Sequence, residues 1–398
     1  MSHLETQIDE LADQYFTRLL EIRRHLHMYP ELSNQEFQTT KFINQELEKA
    51  NIKKIQLNCQ TGTASEISGN AGPIVALRAD IDALPIQEES DLPFRSVIDG
   101  IAHMCGHDVH TTIALGVGFI LQELKHLLPG TVRLIFQPAE ESEGGAEEMI
   151  AEGLLNDVKS IIGLHNMPDL PVGTIGIKEG FLMASVDDFT VKIKGKGGHA
   201  ALPEKAIDPI VIGSSVVNLL QTLVSRSISP RESAVITVGS FQSGNTNNVI
   251  PEFAVLKGTV RTSNETIRKQ IQENFQTLVQ NLVHSLGGEV EIDYQVLLPS
   301  VFNHSKVTSV VREAAISTVG VENVVTAEST MGGEDFSFYQ QKVPGCYIWL
   351  GSGNKEKDIM YGWHHPKFMV DEDAIKIGVK LMARSVFKLL TDTTLNKQ

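Results

Sequence analysis

The sequence contains little cysteine and no long apolar stretch. Its 398 residues include three cysteines, Cys59, Cys105 and Cys346, and this odd, widely spaced set excludes a disulfide framework and fits a reducing compartment. No apolar run approaches the roughly 18 residues that a membrane-spanning helix needs. The first residues, MSHLETQIDELADQ, are charged and lack the apolar core of a secretory signal. We therefore expect a cytoplasmic protein that has no membrane partner.

Positive charge is also in short supply. The 34 lysines and arginines are outnumbered by 49 aspartates and glutamates, which gives a formal net charge of −15 at pH 7. A surface of this sign repels phosphate backbones. We therefore expect no nucleic-acid partner and look for a small-molecule ligand instead.

The arrangement of apolar runs predicts an α/β fold. Four β-rich runs alternate with helical stretches, which predicts a mostly parallel, doubly wound sheet. The runs are PIVALRADID (73–82), TVRLIFQPAEE (131–141), SIIGLHN (160–166) and GCYIWLGSG (345–353). Near the first helices, SNQE (33–36) has the form of a capping box that opens a helix. Ligands of such sheets gather at the carboxyl ends of the strands, where three of these runs lead into carboxylates or a histidine.

A second domain is expected because 398 residues are too many for one ordinary core. Residues 187–297 read as β-α-β-β-α-β, the order of a ferredoxin-like unit. We predict a catalytic, metal-binding domain made of residues 1–186 and 298–398. The segment 187–297 would be an inserted lid and dimerisation domain.

The hexapeptide HMCGHD (103–108) is the first candidate for chemistry. Cys105 and His107 flank Gly106, whose backbone freedom lets the two side chains converge on one point. Sulfur and imidazole suit zinc and other borderline metals. Taken alone, the segment is weak evidence, because a cysteine and a histidine two residues apart are usually unrelated.

Acidic residues and further histidines follow the other strands. Glu140 and Glu141 are adjacent on extended backbone, so one carboxylate could hold a metal while the other faces a bound water molecule. A solvated acidic loop is the alternative for this pair. Each of the remaining candidates also has a structural explanation when it is considered alone: Asp80, Asp82, His165, His364 and His365. Together, at one edge of one sheet, these side chains indicate a metallohydrolase.

At this point the sequence resembles a known family. The motifs RADIDALP, HMCGHDVH, QPAEE, GLHN, GKGGHAALP, NVIP, GTVRT, GGEDF and HHP occur in the family's order and span nearly the whole chain. They resemble the aminoacylase/carboxypeptidase family of co-catalytic metallopeptidases. The similarity is to its branch of N-acyl-amino-acid amidohydrolases, which includes indole-acetyl-amino-acid hydrolases, hippurate hydrolases and N-acetyl-amino-acid deacetylases.

The resemblance implies a hydrolase of linear amides with two divalent metal ions per chain, manganese, zinc or cobalt. It implies Glu140 as general base and acid, Asp82 as the residue that orients a ligand, and His199 as a stabiliser of the oxyanion. It also implies substrate binding by Asn248 and Arg261, and a homodimer or higher homo-oligomer formed through the lid. The implied metal ligands are Cys105, His107, Glu141, His165 and His364, with His365 as the alternative to His364. Asp80 stands where other branches have a histidine, and Cys105 would supply the bridge between the metals.

Three other functions stay open at this stage. A metallo-dipeptidase or carboxypeptidase would use the same site on a different amide. A cysteine hydrolase would use Cys105 as nucleophile with His107 or His110 as base, but it leaves Glu141, His165 and His364 unexplained. A non-catalytic metal-binding or ligand-binding relative does not account for the spare carboxylate of Glu140.

Overall fold

A computed structural model describes residues 3–142 and 144–392. The chain divides into two compact units. The first comprises Met1–Gly180, Phe302–Glu328 and Asp335–Gln398, and the second comprises Phe181–Val301 and Ser329–Glu334.

The helices and strands are numbered in chain order. The helices are α1 (His3–Met28), α2 (Phe37–Lys49), α3 (His107–Glu123), α4 (Gly145–Ala151), α5 (Pro209–Ser227), α6 (Glu265–Ser285), α7 (Ser305–Val319), α8 (Phe336–Gln340) and α9 (Asp373–Thr391). The strands are β1 (Lys53–Lys54), β2 (Thr63–Ser68), β3 (Ile74–Asp80), β4 (Thr131–Gln137), β5 (Val158–Pro171), β6 (Ile175–Ile177), β7 (Gly180–Met183), β8 (Ser185–Lys194), β9 (Gly198–His199), β10 (Ala234–Ser243), β11 (Val249–Ile250), β12 (Phe253–Thr262), β13 (Glu289–Leu298), β14 (Val301–Asn303), β15 (Val324–Thr326) and β16 (Gly345–Gly353).

The first unit is built on a sheet in the order β1-β2-β4-β3-β5-β16-β6-β15. The central strands β4, β3, β5 and β16 pair in parallel, and their apolar runs are consistent with the burial on both faces that is typical of parallel strands. Antiparallel pairs occur towards the edges, where β1 meets β2, β2 meets β4 and β16 meets β6. The predicted α/β class, with a mostly parallel doubly wound sheet, is confirmed.

Close helix packing fills the core of this unit. Gly116 of α3 permits it, because a Cβ atom at this position would lie 2.7 Å from a methyl group of Val379 in α9 and 3.0 Å from Leu19 in α1. Helix α3 is consequently buried from His107 to Leu121. This packing fixes the amino-terminal end of α3, and that end carries HMCGHD.

The second unit has the predicted ferredoxin-like topology. Its four-stranded antiparallel sheet has the order β10-β12-β8-β13, and α5 and α6 contribute to one apolar core with it. In β8, Phe189, Val191 and Ile193 are buried while Lys192 and Lys194 are exposed, which is the alternation expected of a half-buried strand.

The boundaries of the units differ from the predicted ranges by a few residues at the insertion. In addition, Ser329–Glu334 belongs to the second unit rather than to the first. Hydrogen bonds explain this, because the Ala184 N–H donates to the Gly332 carbonyl at 3.0 Å and the Thr330 N–H donates to the Leu182 carbonyl at 3.0 Å. The assignment of the units as catalytic domain and lid stays a prediction.

The sheet of the first unit positions the candidate residues. Strand β3 ends at Asp80 and β4 at Gln137, so Asp82 and Glu140 follow neighbouring parallel strands at the same edge. Strand β5 continues to Pro171, so His165 lies inside the strand rather than at its end as we expected. Among the described helices, none combines the length and the apolar character needed to cross a bilayer.

Candidate metal centre

A tight turn brings Cys105 and His107 together. Gly106 has a φ of 92°, in the left-handed region, and immediately precedes α3. A Cβ atom at this position would lie 2.2 Å from Nδ2 of Asn166, so the site requires glycine on both conformational and steric grounds. Both Cys105 and His107 are buried beside this turn.

His107 is oriented by Asp82. Its Nδ1 lies 3.0 Å from the Asp82 carbonyl oxygen and 3.1 Å from Asp82 Oδ1, so Nδ1 carries the proton and donates it. In the neutral ring Nε2 therefore keeps its lone pair, and it makes no hydrogen bond to the described residues although it is buried. Asp82 thus holds the imidazole in the tautomer that a metal ligand needs.

His165 approaches the same thiol from β5. Its Nδ1 donates to the Asn166 carbonyl at 2.8 Å, which leaves Nε2 unprotonated in the neutral ring. This Nε2 lies 3.3 Å from Cys105 Sγ. The Trp363 ring meets the imidazole nearly edge-on, with the ring centroids 4.7 Å apart. His165 is therefore fixed in a ligand-competent tautomer as well.

Glu140 and Glu141 lie on a kinked turn after β4. Ala139 has a φ of 53°, an uncommon value for a residue with a side chain. The Ala139 N–H donates to Glu36 Oε1 at 2.8 Å, and the Glu141 N–H donates to Asp82 Oδ2 at 2.9 Å. Long-range hydrogen bonds therefore hold this turn in place.

The predicted capping box at Ser33–Glu36 is wrong. Helix α2 begins at Phe37, and its N-cap residue Glu36 makes no side-chain cap. Ser33 Oγ instead donates to Asp82 Oδ2 at 2.7 Å, while Glu36 supports the Ala139 turn. The carboxylate of Glu31 accepts the Gln38 and Thr39 N–H groups at this helix end, at 3.1 and 2.7 Å, so Ser33 and Glu36 are not needed there and support the candidate site.

His364 reaches the group from the other end of the chain. It also has a positive φ, 62°, and its N–H donates to the Met104 carbonyl at 2.8 Å, next to Cys105. His364 Nε2 lies 3.4 Å from Glu141 Oε1. His365 is directed elsewhere: its ring stacks on Tyr361 at a centroid distance of 4.3 Å, and its Nδ1 accepts the Lys367 N–H.

The donor atoms form groups that share members. Each group has its ligand atoms within 4.8 Å of one another, and three of the groups are Cys105–His107–His165, Cys105–Glu141–His364 and His107–Glu140–Glu141. Cys105 belongs to two of these, so its sulfur lies between two neighbouring clusters. Glu141 Oε1, like His107 Nε2, is buried and has no hydrogen-bond partner among the described residues. Since buried polar atoms are normally satisfied, this donor set fits bound cations.

Burial controls the titration of these groups. Burial and the neighbouring Glu141 charge raise the pKa of the Cys105 thiol well above its ordinary value. Burial, together with the nearby His110, holds the pKa of His165 well below 6.5. Burial alone would also lower the pKa of His107, but Asp80 and Asp82 raise it overall. A thiol whose pKa is raised in this way is poorly suited to act as a nucleophile, which weighs against a cysteine hydrolase.

Several residues at the site were not among the predicted site residues. Arg78 Nη1 donates to Asp80 Oδ2 at 2.7 Å and Nη2 donates to Asp335 Oδ1 at 2.5 Å. His110 Nδ1 lies 2.6 Å from Asp80 Oδ1. Asp80 is thus engaged by neighbouring side chains. Arg78 and Asp80 are two residues apart in β3 and therefore lie on the same face of the sheet, so their contact could have been predicted from the sequence. Nothing in the sequence near Arg78 indicates its contact with Asp335.

The remaining predicted residues lie in the second unit. His199 pairs with Val249 in the two-stranded ladder of β9 and β11, and the Asn248 carbonyl accepts the Ala200 N–H at 3.1 Å. His199 Nδ1 accepts the Ala201 N–H at 3.1 Å, so in the neutral ring Nε2 carries the proton and can donate. Arg261 lies in β12, where its Nε donates to Thr259 Oγ1 at 3.2 Å and burial lowers its pKa.

Comparison with known proteins gives consistent matches. Residues 76–388 match the model of peptidase family M20/M25/M40. The chain is 45% identical to N-acetylcysteine deacetylase from Bacillus subtilis, over 94% of this chain and 97% of that protein. It is 37% identical to IAA-amino acid hydrolase ILR1-like 4 from Arabidopsis thaliana, over 97% of this chain and 89% of that one.

A solved structure matches in the same way. It is the YXEP protein of Bacillus subtilis, described as a dinuclear metal-binding peptidase of the M20 family. The TM-score is 0.86 and the sequences are 41% identical, over 95% of this chain and 99% of that chain. The similarity therefore extends over both compact units.

Proposed function

Since this chain belongs to peptidase family M20/M25/M40 and is an amidohydrolase, we propose that it cleaves the amide bond of N-acyl amino acids at a two-metal site. The main support for the proposal is the pair of donor groups that share Cys105 and contain two buried atoms, His107 Nε2 and Glu141 Oε1, which have no hydrogen-bond partner among the described residues. A non-catalytic metal-binding protein would not need the further carboxylate of Glu140, which forms an adjoining group with His107 and Glu141.

The proposed ligands are Cys105, His107, Glu141, His165 and His364. Cys105 would be shared between the two cations, since a thiolate can bridge. Thiolate and imidazole ligands suit zinc and cobalt, and the carboxylate also admits manganese, so these three ions are the candidates. When bound, divalent cations supply Lewis acidity, which lowers the pKa of a water molecule and polarises an amide carbonyl.

Glu140 is the proposed general base and acid. Its Oε2 lies 3.9 Å from His107 Nε2, and its side chain is only 11% exposed, so it borders the donor groups with little competing solvent. The carboxylate would take a proton from the attacking water and deliver it to the leaving amine nitrogen, so that Glu140 returns to its starting state. Asp82 would act through His107, whose Nδ1–H it accepts.

The second unit would supply the substrate contacts. His199 presents an Nε2–H donor in its neutral tautomer, which suits an oxyanion that develops on the amide carbonyl. Arg261 would bind the α-carboxylate of an N-acyl amino acid, because a guanidinium pairs with a carboxylate in bidentate fashion. Asn248 would add amide hydrogen bonds.

The relatives suggest which substrates to test first. The N-acetylcysteine deacetylase relative favours an N-acetyl amino acid, and the IAA-amino acid hydrolase relative favours a larger acyl group. A dipeptide or another peptide with a free carboxylate is the second candidate, since its scissile amide is chemically equivalent.

Assembly and compartment complete the proposal. We expect a homo-oligomer through the second unit, whose helix α5 exposes 60% of Val211 and whose β10 and β12 expose Val235 and Phe253. Sedimentation velocity would test this expectation. The cytoplasm remains the proposed compartment because all three cysteines are free thiols.

The experiment is a turnover screen on protein stripped of metal and reloaded with manganese, zinc or cobalt. The panel contains N-acetyl, N-benzoyl and N-indole-acetyl amino acids together with dipeptides. We expect release of the free amino acid, inhibition by a chelator, and recovery when metal is added. Chelator-insensitive turnover, or a trapped acyl-thioester on Cys105, would instead support the cysteine hydrolase.

A further inference from the structure

Asn166 links the two chain segments that carry Cys105 and His165. Its side-chain Nδ2 donates to the Cys105 carbonyl at 2.6 Å. Its backbone carbonyl oxygen accepts a hydrogen bond from His165 Nδ1 at 2.8 Å and another from Trp363 Nε1 at 3.0 Å. One residue therefore contacts the backbone of the thiol ligand and fixes the tautomer of the histidine ligand.

The amide of Asn166 also fills the space beside the Cys105–Gly106 turn. Asn166 is fully buried, and its Nδ2 lies 2.2 Å from the position that a Cβ atom on Gly106 would occupy. The left-handed backbone of Gly106 and the amide of Asn166 are therefore complementary. Any loosening of this contact would release the backbone that directs the Cys105 sulfur.

A chain of buried hydrogen bonds holds Asn166 itself. The Asn166 N–H donates to His110 Nε2 at 2.9 Å, so the His110 proton resides on Nδ1 and is donated to Asp80 Oδ1 at 2.6 Å. Asp80 Oδ2 in turn accepts from Arg78 Nη1 at 2.7 Å. His110 is thereby fixed in one tautomer, and it behaves as part of the support and not as a ligand.

We infer that Asn166 is a positioning residue that fixes the Cys105–Gly106 turn, so that the thiolate is preorganised for cations bound on both sides of it. It acts through Cys105 and His165 and does not touch the cations. This inference rests on the proposed function, because it requires Cys105 to be a metal ligand.

The test compares Asn166→Ala with Ser352→Ala. Ser352 is buried at the opposite end of the same amide, where its Oγ lies 3.4 Å from Asn166 Oδ1, so it is a matched control in packing. Cobalt affinity is measured by competition with a chelator, and the intensity of the thiolate-to-cobalt charge-transfer band is recorded at saturation. We expect Asn166→Ala to bind cobalt about 10–100-fold more weakly with a weaker band, as is typical of residues that support ligands. Ser352→Ala should resemble the wild type.

A second measurement uses metal-free protein. The rate of Cys105 alkylation, followed by mass spectrometry, should rise several-fold in Asn166→Ala and stay unchanged in Ser352→Ala. If Asn166→Ala does not fold, Asn166→Ser, which removes less volume, is measured in the same way. Thermal unfolding of each variant separates a loss of stability from a change at the thiol.

The outcomes separate the inference from the proposed function. If wild-type protein binds no cobalt and gives no thiolate band, the proposed metal site is wrong. If the wild type binds cobalt and Asn166→Ala matches it within twofold in affinity, band intensity and alkylation rate, the positioning role alone is wrong. A variant that only melts at a lower temperature also contradicts that role.

Discussion

Each compact unit buries a group of charged side chains, but the two groups differ in how completely they are satisfied. In the second unit, Asp187 is fully buried, and both of its carboxylate oxygens have partners. Oδ1 accepts from Arg268 Nε at 2.9 Å and Nη2 at 2.5 Å, and Oδ2 accepts from the Tyr294 hydroxyl at 2.9 Å. In the first unit, His107 Nε2 and Glu141 Oε1 are buried and have no hydrogen-bond partner among the described residues.

This difference separates a structural group from a functional one. A satisfied ion pair such as Asp187–Arg268 needs nothing from outside the chain. Burying metal-ligand atoms that make no hydrogen bond costs desolvation free energy that no contact within the chain offsets. A bound cation would offset this cost. Substitutions in the group around Cys105 should therefore change chemistry and metal content, whereas substitutions in the Asp187–Arg268 group should change stability alone.

The largest effect is expected for Glu140→Gln. The amide cannot accept a proton from water, so kcat should fall by about 10²–10⁴-fold or more while metal content stays at the wild-type level. Glu147→Gln, an exposed carboxylate in α4, is the control. Initial rates on the best substrate give kcat, and elemental analysis of the same sample gives the metal content. Near-normal activity would remove Glu140 from the mechanism.

Cys105→Ala should lower metal content and rate together. The substitution removes the sulfur that belongs to two donor groups, so we expect metal affinity to fall by at least the roughly 10–100-fold typical of lesser changes around a site. Cys59→Ala, a thiol outside the site, should bind metal normally. Full metal occupancy in Cys105→Ala would show that the thiolate is not a ligand.

Arg268→Ala, in the buried ion pair of the second unit, should lower stability without affecting the metal centre. It leaves Asp187 as an unpaired buried charge, which costs about 3–5 kcal/mol of stability. Metal content should remain at the wild-type value. Lys269→Ala removes the same charge from an exposed position of α6 and should change stability by less than about 0.5 kcal/mol. Urea unfolding and elemental analysis are the measurements, and a loss of metal in Arg268→Ala would contradict the comparison.

Alkaline pH gives the smallest expected effect. Burial and the Asp187 charge raise the pKa of Tyr294 above its ordinary value of about 10. Tyr294 therefore ionises at lower pH in the unfolded chain than in the folded protein. The stability that its neutral hydroxyl contributes is complete below about pH 10 and is lost as the pH rises further.

Hydrogen exchange of the β13 amides at pH 9 and 11 should show this loss of stability in the wild type and in the control Tyr361→Phe. At pH 9, Tyr294→Phe should be less stable than the wild type by about 1–3 kcal/mol. Its stability should also fall less than that of the wild type between pH 9 and pH 11. An equal pH response in all three proteins would exclude Tyr294 as its source.

The sequence allowed the strands and the two-unit organisation to be predicted because apolar periodicity is a local property. Strand β16 has the predicted bounds, Gly345–Gly353, and the βαββαβ order of the second unit is confirmed. Local reasoning failed where a polar side chain has a distant partner. Ser33 and Glu36 resembled a helix cap, yet their partners are Asp82 and Ala139.

The same limit applies to the support of the candidate site. Asn166 stands in the quoted motif GLHN, but nothing local indicates that its amide contacts Cys105, 61 residues earlier. Asp335 pairs with Arg78 across 257 residues. Only the folded sheet brings such residues together, so the candidate ligands were accessible from the motifs and the hydrogen bonds that orient them were not.

The most direct test of the metal centre is anomalous diffraction from crystals grown with manganese, zinc or cobalt. We predict two peaks, both within bonding distance of Cys105 Sγ, one on the side of His165 and the other on the side of Glu141 and His364. Absence of peaks under saturating metal, or peaks remote from Cys105, would contradict the account.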